Sequence, residues 1–401
     1  MKLLLIKAGK AFKTIQRDGI WRGGKRVLSA FFAMFAFVGK GQILFVTGGV
    51  GDSARYRTKH VSEELELNGF KCSVTIQDNP FLSSYVDKFE VFVFHRTLFS
   101  PSVQKMIEKI KEQKKTIIFE TDDLVHDPKY LEHMDYFKVM NSLEKKLYEN
   151  GVGGEILNDP YVEVATTTTN FLAEKLRESG KKVFVVPNKL CKHDVAISEE
   201  IASRKSKVES FASGLSSGRK AIKIGYFSGA LSHNKDFATV TKVLKQLMEK
   251  HQNVELFLVG PLDIENELNV FGDRIKQFPY VTRDKHFANV ASVDINIAPL
   301  EIDNPFCQSK SELKFFEAGI VNVPTVAAAT APFLEAIEDG IDGFTANGEV
   351  EWTEKLEKLI LDKDLRLSMG NRAHEKAIAR YTTEKAGNEE YYKYLRESIE
   401  S

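Results

Sequence analysis

The stretch Gln42-Ile43-Leu44-Phe45-Val46-Thr47, followed by Gly48-Gly49-Val50-Gly51-Asp52-Ser53, decides the fold class. An apolar run rich in β-branched and aromatic residues, ended by glycines, reads as a strand buried on both faces. The helical pattern from about Ala54 to Leu67 makes this the opening of a β–turn–α unit. The same alternation recurs outward. Cys72–Ile76, Val91–His95, Thr116–Glu120, Val162–Ala165 and Val183–Val186 read as further strands. A second series follows with Ile222–Phe227, Val254–Val259, Asp294–Ala298 and Val323–Ala327. Strands alternating with helices predict parallel sheets covered on both faces.

With 401 residues the chain exceeds the size at which one core stops growing, so two domains are expected. The polar stretch 192–220, rich in Ser, Lys and Glu, reads as the linker. It separates an N-terminal domain (41–191) from a C-terminal domain (221–380), with a last helix in 381–401 starting near Glu384. Lys plus Arg equals Asp plus Glu at 56 each, so no global field recruits nucleic acid. Cys72, Cys191 and Cys307 are odd in number and unpaired in spacing, which argues against a disulfide framework or structural zinc and for a reducing, cytoplasmic setting. The apolar run Val27–Val38 is shorter than the roughly 20 residues a spanning helix needs.

Residues 1–40 form a basic amphipathic segment. Helical winding places Leu5, Ala8, Phe12 and Ile15 on one side and Lys7, Lys10, Thr14 and Arg17 on the other. After a Gly-rich break, Arg22, Lys25 and Arg26 lead into Phe31, Phe32, Phe35 and Phe37. This pattern suits an anionic membrane surface, giving a peripheral location on the inner face of the plasma membrane. A helical pair packed on the protein's own surface fits the same pattern.

Ligands collect at the carboxyl ends of parallel strands, so the loops there hold the candidate site residues. Ser228, Gly229, His233, Asn234 and Lys235 follow one strand and open a helix, an arrangement that suits a phosphate; a plain capped turn fits as well. Ser309, Lys310, Ser311, Lys314 and Glu317 lie where a polar loop becomes a helix. Helical spacing puts Lys310, Lys314 and Glu317 on one face, and an exposed ion-pair ladder is the structural alternative. In the first half, Gly49 offers close backbone approach, and Arg55, Tyr56 and Arg57 begin the next helix. His95-Arg96 and Asp122-Asp123 end neighbouring strands. Adjacent aspartates without further ligands predict no metal site.

The Glu317-Ala318 pair with Pro324, Val185-Val186-Pro187-Asn188, Leu258-Val259-Gly260-Pro261, Asp294 to Leu300 and Gly340-Ile341-Asp342-Gly343-Phe344 resemble, in order and spacing, glycosyltransferase family 4. The resemblance runs from about Gly41 to Tyr381 and is stronger in the second half. It implies a GT-B fold of two Rossmann-like domains facing a cleft, and metal-independent sugar transfer with retention from a nucleotide-diphosphate sugar, needing no cofactor. The acceptor would be a glycan or lipid-linked glycan in cell-surface polysaccharide assembly. By the same resemblance Glu317 grips the ribose, Lys235 neutralises the diphosphate, and Gly49, Ser228, Gly229, His233, Asn234, Ser309, Lys310, Ser311 and Lys314 complete the donor site. Arg55, Tyr56, Arg57, Arg96, Asp122 and Asp123 would meet the acceptor, with His95 as a supporting catalytic contact. The sequence departs at Ser309, where the family carries its first Glu, and at Ala230, where it carries Arg. The chain looks more like a divergent subgroup with K-S-x-x-K-x-x-E and S-G-x-x-x-H motifs. A catalytically silent binding subunit, a nucleotide-sugar epimerase on the same fold and a membrane scaffold are the rival readings.

Overall fold

A computed structural model describes residues 2–134, 137, 138, 140–212, 221–228, 234–262 and 267–400. The chain divides into two units, Met1–Lys189 with Gly387–Ser401, and Leu190–Ala386.

The first unit holds six parallel strands: β1 (Ile43–Thr47), β2 (Cys72–Ile76), β3 (Val91–His95), β4 (Thr116–Glu120), β5 (Val164–Thr167) and β6 (Lys182–Val185), in the order β2-β1-β3-β4-β5-β6. Ile43 pairs with both Cys72 and Val91, and Val91 with Thr116. Side chains alternate across a strand, and the two core faces follow that period. Leu44, Val46, Phe92, Phe94, Ile117 and Phe119 pack with Val103, Met106, Ile107 and Ile110 of helix Pro101–Glu112. Ile43, Phe45, Val91, Val93 and Ile118 pack on the other side with Val61 and Leu65 of helix Val61–Leu67. The C-terminal helix Glu389–Glu400 contributes Tyr391, Tyr392 and Leu395 to that second face. It starts later than Glu384 because the Asn388 side-chain carbonyl accepts from Tyr391 N at 3.0 Å and sets the first turn there.

The second unit has β7 (Ile222–Phe227), β8 (Val254–Val259), β9 (Ile275–Phe278), β10 (Ile295–Ala298), β11 (Thr325–Ala328) and β12 (Phe344–Ala346), all parallel, in the order β12-β11-β10-β7-β8-β9. In each sheet the order reverses beside the first strand, between β1 and β3 and between β7 and β10. Such switch points open a crevice at the carboxyl ends of the strands.

One feature differs from the sequence reading. Residues 192–212 are not a linker: Lys192–Ala212 is a helix of the second unit, while 213–220 lie outside the described residues. Its inward residues are polar, Asp194 and Ser198, both buried, so apolar periodicity gave no signal. The N-terminal segment is helical over Lys2–Ala33 with a break at Gly19, which has φ 79° and lies ahead of Arg22, where the sequence reading puts it. Side chains of Leu5, Lys7, Ala8, Lys10, Thr14 and Arg17 lie outside the described set, so the two-sided pattern expected there is not addressed. Among the described residues no helix is long and apolar enough to cross a membrane.

Candidate functional site

At the β1/β3 switch point a cavity of about 240 Å³ is lined by Gly48, Gly49, Ser53, His95, Arg96 and Tyr148, among others. Its floor requires glycine. A Cβ on Gly48 would stand 2.0 Å from the Arg96 carbonyl oxygen, because the two strand ends converge there. Arg96 itself sits at φ 43°, a left-handed conformation unusual for a side chain of its size and one that clusters at functional sites. His95 is buried between hydroxyls, with Nδ1 2.9 Å from Thr47 Oγ1 and Nε2 3.1 Å from Ser53 Oγ. Asp122 Oδ1 lies 3.5 Å from the same Nε2. Arg96 is held by both Asp122 and Asp123. Burial opposes ionisation of Asp122, but Arg96 and then His95 outweigh it and hold its carboxyl below the usual range. Burial pushes Asp123 up instead.

The structure therefore brings His95, Arg96, Asp122 and Asp123 together as read from the sequence, with Gly49, assigned there to the donor site, lining the same cavity of the first unit, but it moves two expected acceptor contacts, Tyr56 and Arg57. Arg57 is 1% exposed, and Tyr56 is buried beside the His60 ring at 4.7 Å. The Arg57 guanidinium donates to both Glu120 oxygens at 2.8 and 3.1 Å, to Val186 O at 2.7 Å and to Asn188 Oδ1 at 3.1 Å. These bonds tie the helix to the ends of β4 and β6, a structural role. The cause is local: Arg55–His60 is a π-helical segment, and this widened turn sets which side chains face inward. Arg55 pairs with Asp52 at 2.5 Å. Thr47 and Ser53, which orient His95, were missed because single hydroxyls in a strand end and turn carry no pattern.

In the second unit, Gly229 and His233 lie outside the described residues, as does Ala230. Ser228, at the end of β7, is buried, and its N–H donates to Val259 O at 2.8 Å. Gly260, at φ 110°, repeats the arrangement of Gly48: a Cβ there would meet Ser228 O at 2.0 Å. Asn234 and Lys235 open the helix Asn234–Lys250, Lys235 with an exposed side chain.

Glu317 is 5% exposed on helix Leu313–Gly319. Its carboxylate accepts from Arg283 and lies 3.1 Å from His286 Nε2. Arg283 in turn donates to both oxygens of Asp194, at 3.0 and 3.1 Å, and stacks on Phe287 at 4.5 Å. Arg283 and His286 were not read from the sequence; they stand three apart on the short helix Arg283–Val290, and their partners are 31 to 89 positions away.

Lys310 departs from its expected place. The helix begins at Leu313, so only Lys314 and Glu317 share it, and Lys310 Nζ instead pairs with the buried Asp236 at 2.7 Å. Ser309 is fully buried and donates to Phe306 O at 2.8 Å, closing the end of helix Pro305–Gln308, so it does not line a donor site. Ser311, also assigned to the donor site from sequence, is half-buried between these helices. Lys314 Nζ lies 5.6 Å over the Tyr226 ring, and burial, then Lys310, lowers its pKa. The second unit thus offers a buried carboxylate steadied by the Arg283 guanidinium and the His286 imidazole, with ammonium groups nearby in sequence.

Comparison with known proteins accords with this geometry. Residues 222–362 match the family model of glycosyl transferases group 1. No curated protein matches the chain. Among solved structures, a glycosyltransferase from Rickettsia africae is similar at 14% identity, covering 90% of this chain and 99% of that one, with a TM-score of 0.62. Anabaena HepE in complex with UDP and glucose is similar at 14% identity, 90% and 100% coverage and a TM-score of 0.57. Sucrose-phosphate synthase from Thermosynechococcus elongatus gives 11% identity, 89% and 98% coverage and a TM-score of 0.56. The fold is the two-domain α/β architecture called GT-B.

Proposed function

We propose that the chain is a glycosyltransferase that moves a sugar, with retention and without a metal, from a nucleotide-diphosphate sugar to a glycan or lipid-linked acceptor. The observation that carries this reading is Glu317, buried and hydrogen-bonded between Arg283 and His286 inside the segment matching the group 1 family model. An acceptor-only carboxylate held in one orientation suits two adjacent hydroxyls such as those of a ribose. Lys235 and Lys314 supply cationic character for a diphosphate, whose charge grows as the glycosidic bond breaks. Lys314 is suited to this because burial already disfavours its isolated charge, so an anion beside it gains more than it would at the surface. The departing phosphate oxygen can take the acceptor proton, which leaves His95 a supporting contact rather than a required base. Cell-surface polysaccharide assembly is the setting this chemistry fits.

Titration calorimetry with UDP-, GDP-, dTDP- and ADP-sugars tests the reading. Lys235→Ala and Lys314→Ala are each expected to lower donor affinity severalfold, and unchanged binding in both removes the phosphate site. Transfer should persist with a chelator, and the product anomer should match that of the donor. The buried Ser309, standing where the related enzymes carry a Glu, favours one second reading, a subunit that binds donor without turning it over. Donor binding with neither hydrolysis nor transfer across an acceptor panel would select it.

A further inference from the structure

We propose that residues 20–40 dock the first unit onto an anionic phospholipid surface. Eight of the twenty large apolar side chains exposed among the described residues fall between Phe12 and Phe37. In the helix following the Gly19 break, Trp21, Leu28 and Phe32 recur at i, i+7 and i+11, one face, and are 91%, 55% and 63% exposed. On the opposite face Gly23 is buried, and Ala30 and Ala33 are half-buried. The helix thus turns small residues toward the protein and large apolar ones outward, the reverse of a helix packed on its own core. The end of the helix and the turn after it continue the pattern: the Phe31 ring in the helix and the Phe35 ring beyond it meet at 5.4 Å on the surface, and Phe37 is 92% exposed. The next residue, Val38, is fully buried in the core beside the β-sheet, so Phe37 is fixed to the body of the unit rather than carried on a free tail.

Charge names the occupant. Residues 1–40 carry nine basic side chains and one acidic, leaving 47 basic against 55 acidic in the other 361. The zero net charge of the chain therefore conceals a cationic segment joined to an anionic body. Lys25 and Lys40 are exposed among the apolar residues. Aromatic rings at headgroup depth with ammonium groups around them match an anionic bilayer, and two such signals together make attachment stable where either alone is marginal. This inference stands apart from the sugar-transfer reading, since it uses no residue of either candidate site.

The chain reports on its own docking. It has two tryptophans, Trp21 at the surface and Trp352 at 3% exposure. The full chain should float with vesicles of phosphatidylcholine mixed with phosphatidylglycerol, and not with phosphatidylcholine alone. Its emission should shift to the blue on binding, and Trp21→Phe should abolish that shift. Lys25→Glu with Lys40→Glu is expected to lower partitioning on the order of tenfold or more. Phe32→Ser with Phe37→Ser should lower it similarly, with donor affinity and the thermal transition unchanged in all variants. Failure to float on the mixed vesicles overturns the proposal. So does flotation that none of these variants weakens, or a concentration-dependent dimer lost in Phe32→Ser with no vesicle binding, which would assign the face to a second copy.

Discussion

Three side chains show how burial, rather than residue type, assigns roles. Arg57 sits in a basic string that reads as ligand-binding, yet all its bonds are internal and Glu120 depends on it. Arg57→Ala should cost about 3 kcal/mol or more, the usual consequence of leaving a buried charge unpaired, measured by urea unfolding. Donor affinity of the second unit should not change. Glu317 has the opposite profile: Glu317→Gln keeps the shape but removes the charge shared with Arg283 and His286, and should lower donor affinity on the order of tenfold by calorimetry, the scale of a charge-assisted hydrogen bond. Glu312 gives a pH signature. Burial pushes its carboxyl up to about 7 from an ordinary 4.5, with Tyr381 beside it as a hydrogen-bond partner. Between those values the unfolded chain ionises while the native carboxyl stays protonated. Its contribution is therefore full below 4.5 and is lost as pH rises through 7. Glu312→Gln should be neutral near pH 4 and stabilising by about 3 kcal/mol near pH 8. Denaturant melts at the two pH values check this, and equal differences at both would refute it.

Strands buried on both faces wrote themselves into the sequence, and edges did not. β1, β3 and β4 carry apolar runs because helices cover both sides, and their bounds fall within a residue of those read directly. β9 was missed: Ile275-Lys276-Gln277-Phe278 is an edge strand with three exposed residues, and an edge needs no apolar face. β12 is three residues long, too short for a period to show. The strand-end loops were legible as places, since parallel sheets put ligands there, but their partners were not. Asp194 and Arg283 are 89 positions apart, and only the folded chain makes them neighbours. The glycines that close the switch points belong to the same scale. Gly48→Ala and Gly260→Ala each drive a methyl into a backbone carbonyl of the adjoining strand end, an atom that cannot turn aside. Each should destabilise its own unit by about 2 kcal/mol, with Gly260→Ala also weakening donor binding and Gly48→Ala sparing it. Thermal melts of the two variants with and without the nucleotide-sugar that binds in the calorimetric panel separate these effects.

At the scale of the whole chain, the path leaves the first unit after Lys189 and returns to it at Gly387. The return segment completes a core that the first 189 residues leave open. Tyr391, Tyr392 and Leu395 are each 1% exposed or less against the second face of the first sheet. Tyr392 donates to the buried Glu64 at 2.5 Å, and Glu64 also faces Lys189 at 2.5 Å. Asn388 donates to Val185 O at 2.9 Å, securing the end of β6. A chain ending at Ala386 would expose Phe45, Val93 and Phe184 to water and leave Glu64 with one partner fewer. Burial of three such side chains is worth roughly 6 kcal/mol, comparable to the whole stability of an ordinary domain. The truncated chain should therefore lose protection of Ile43–Thr47 in hydrogen exchange while Ile222–Phe227 stays protected. If both strands lose protection together, the units do not fold as separate bodies; if neither does, the last helix is an accessory rather than part of the first core.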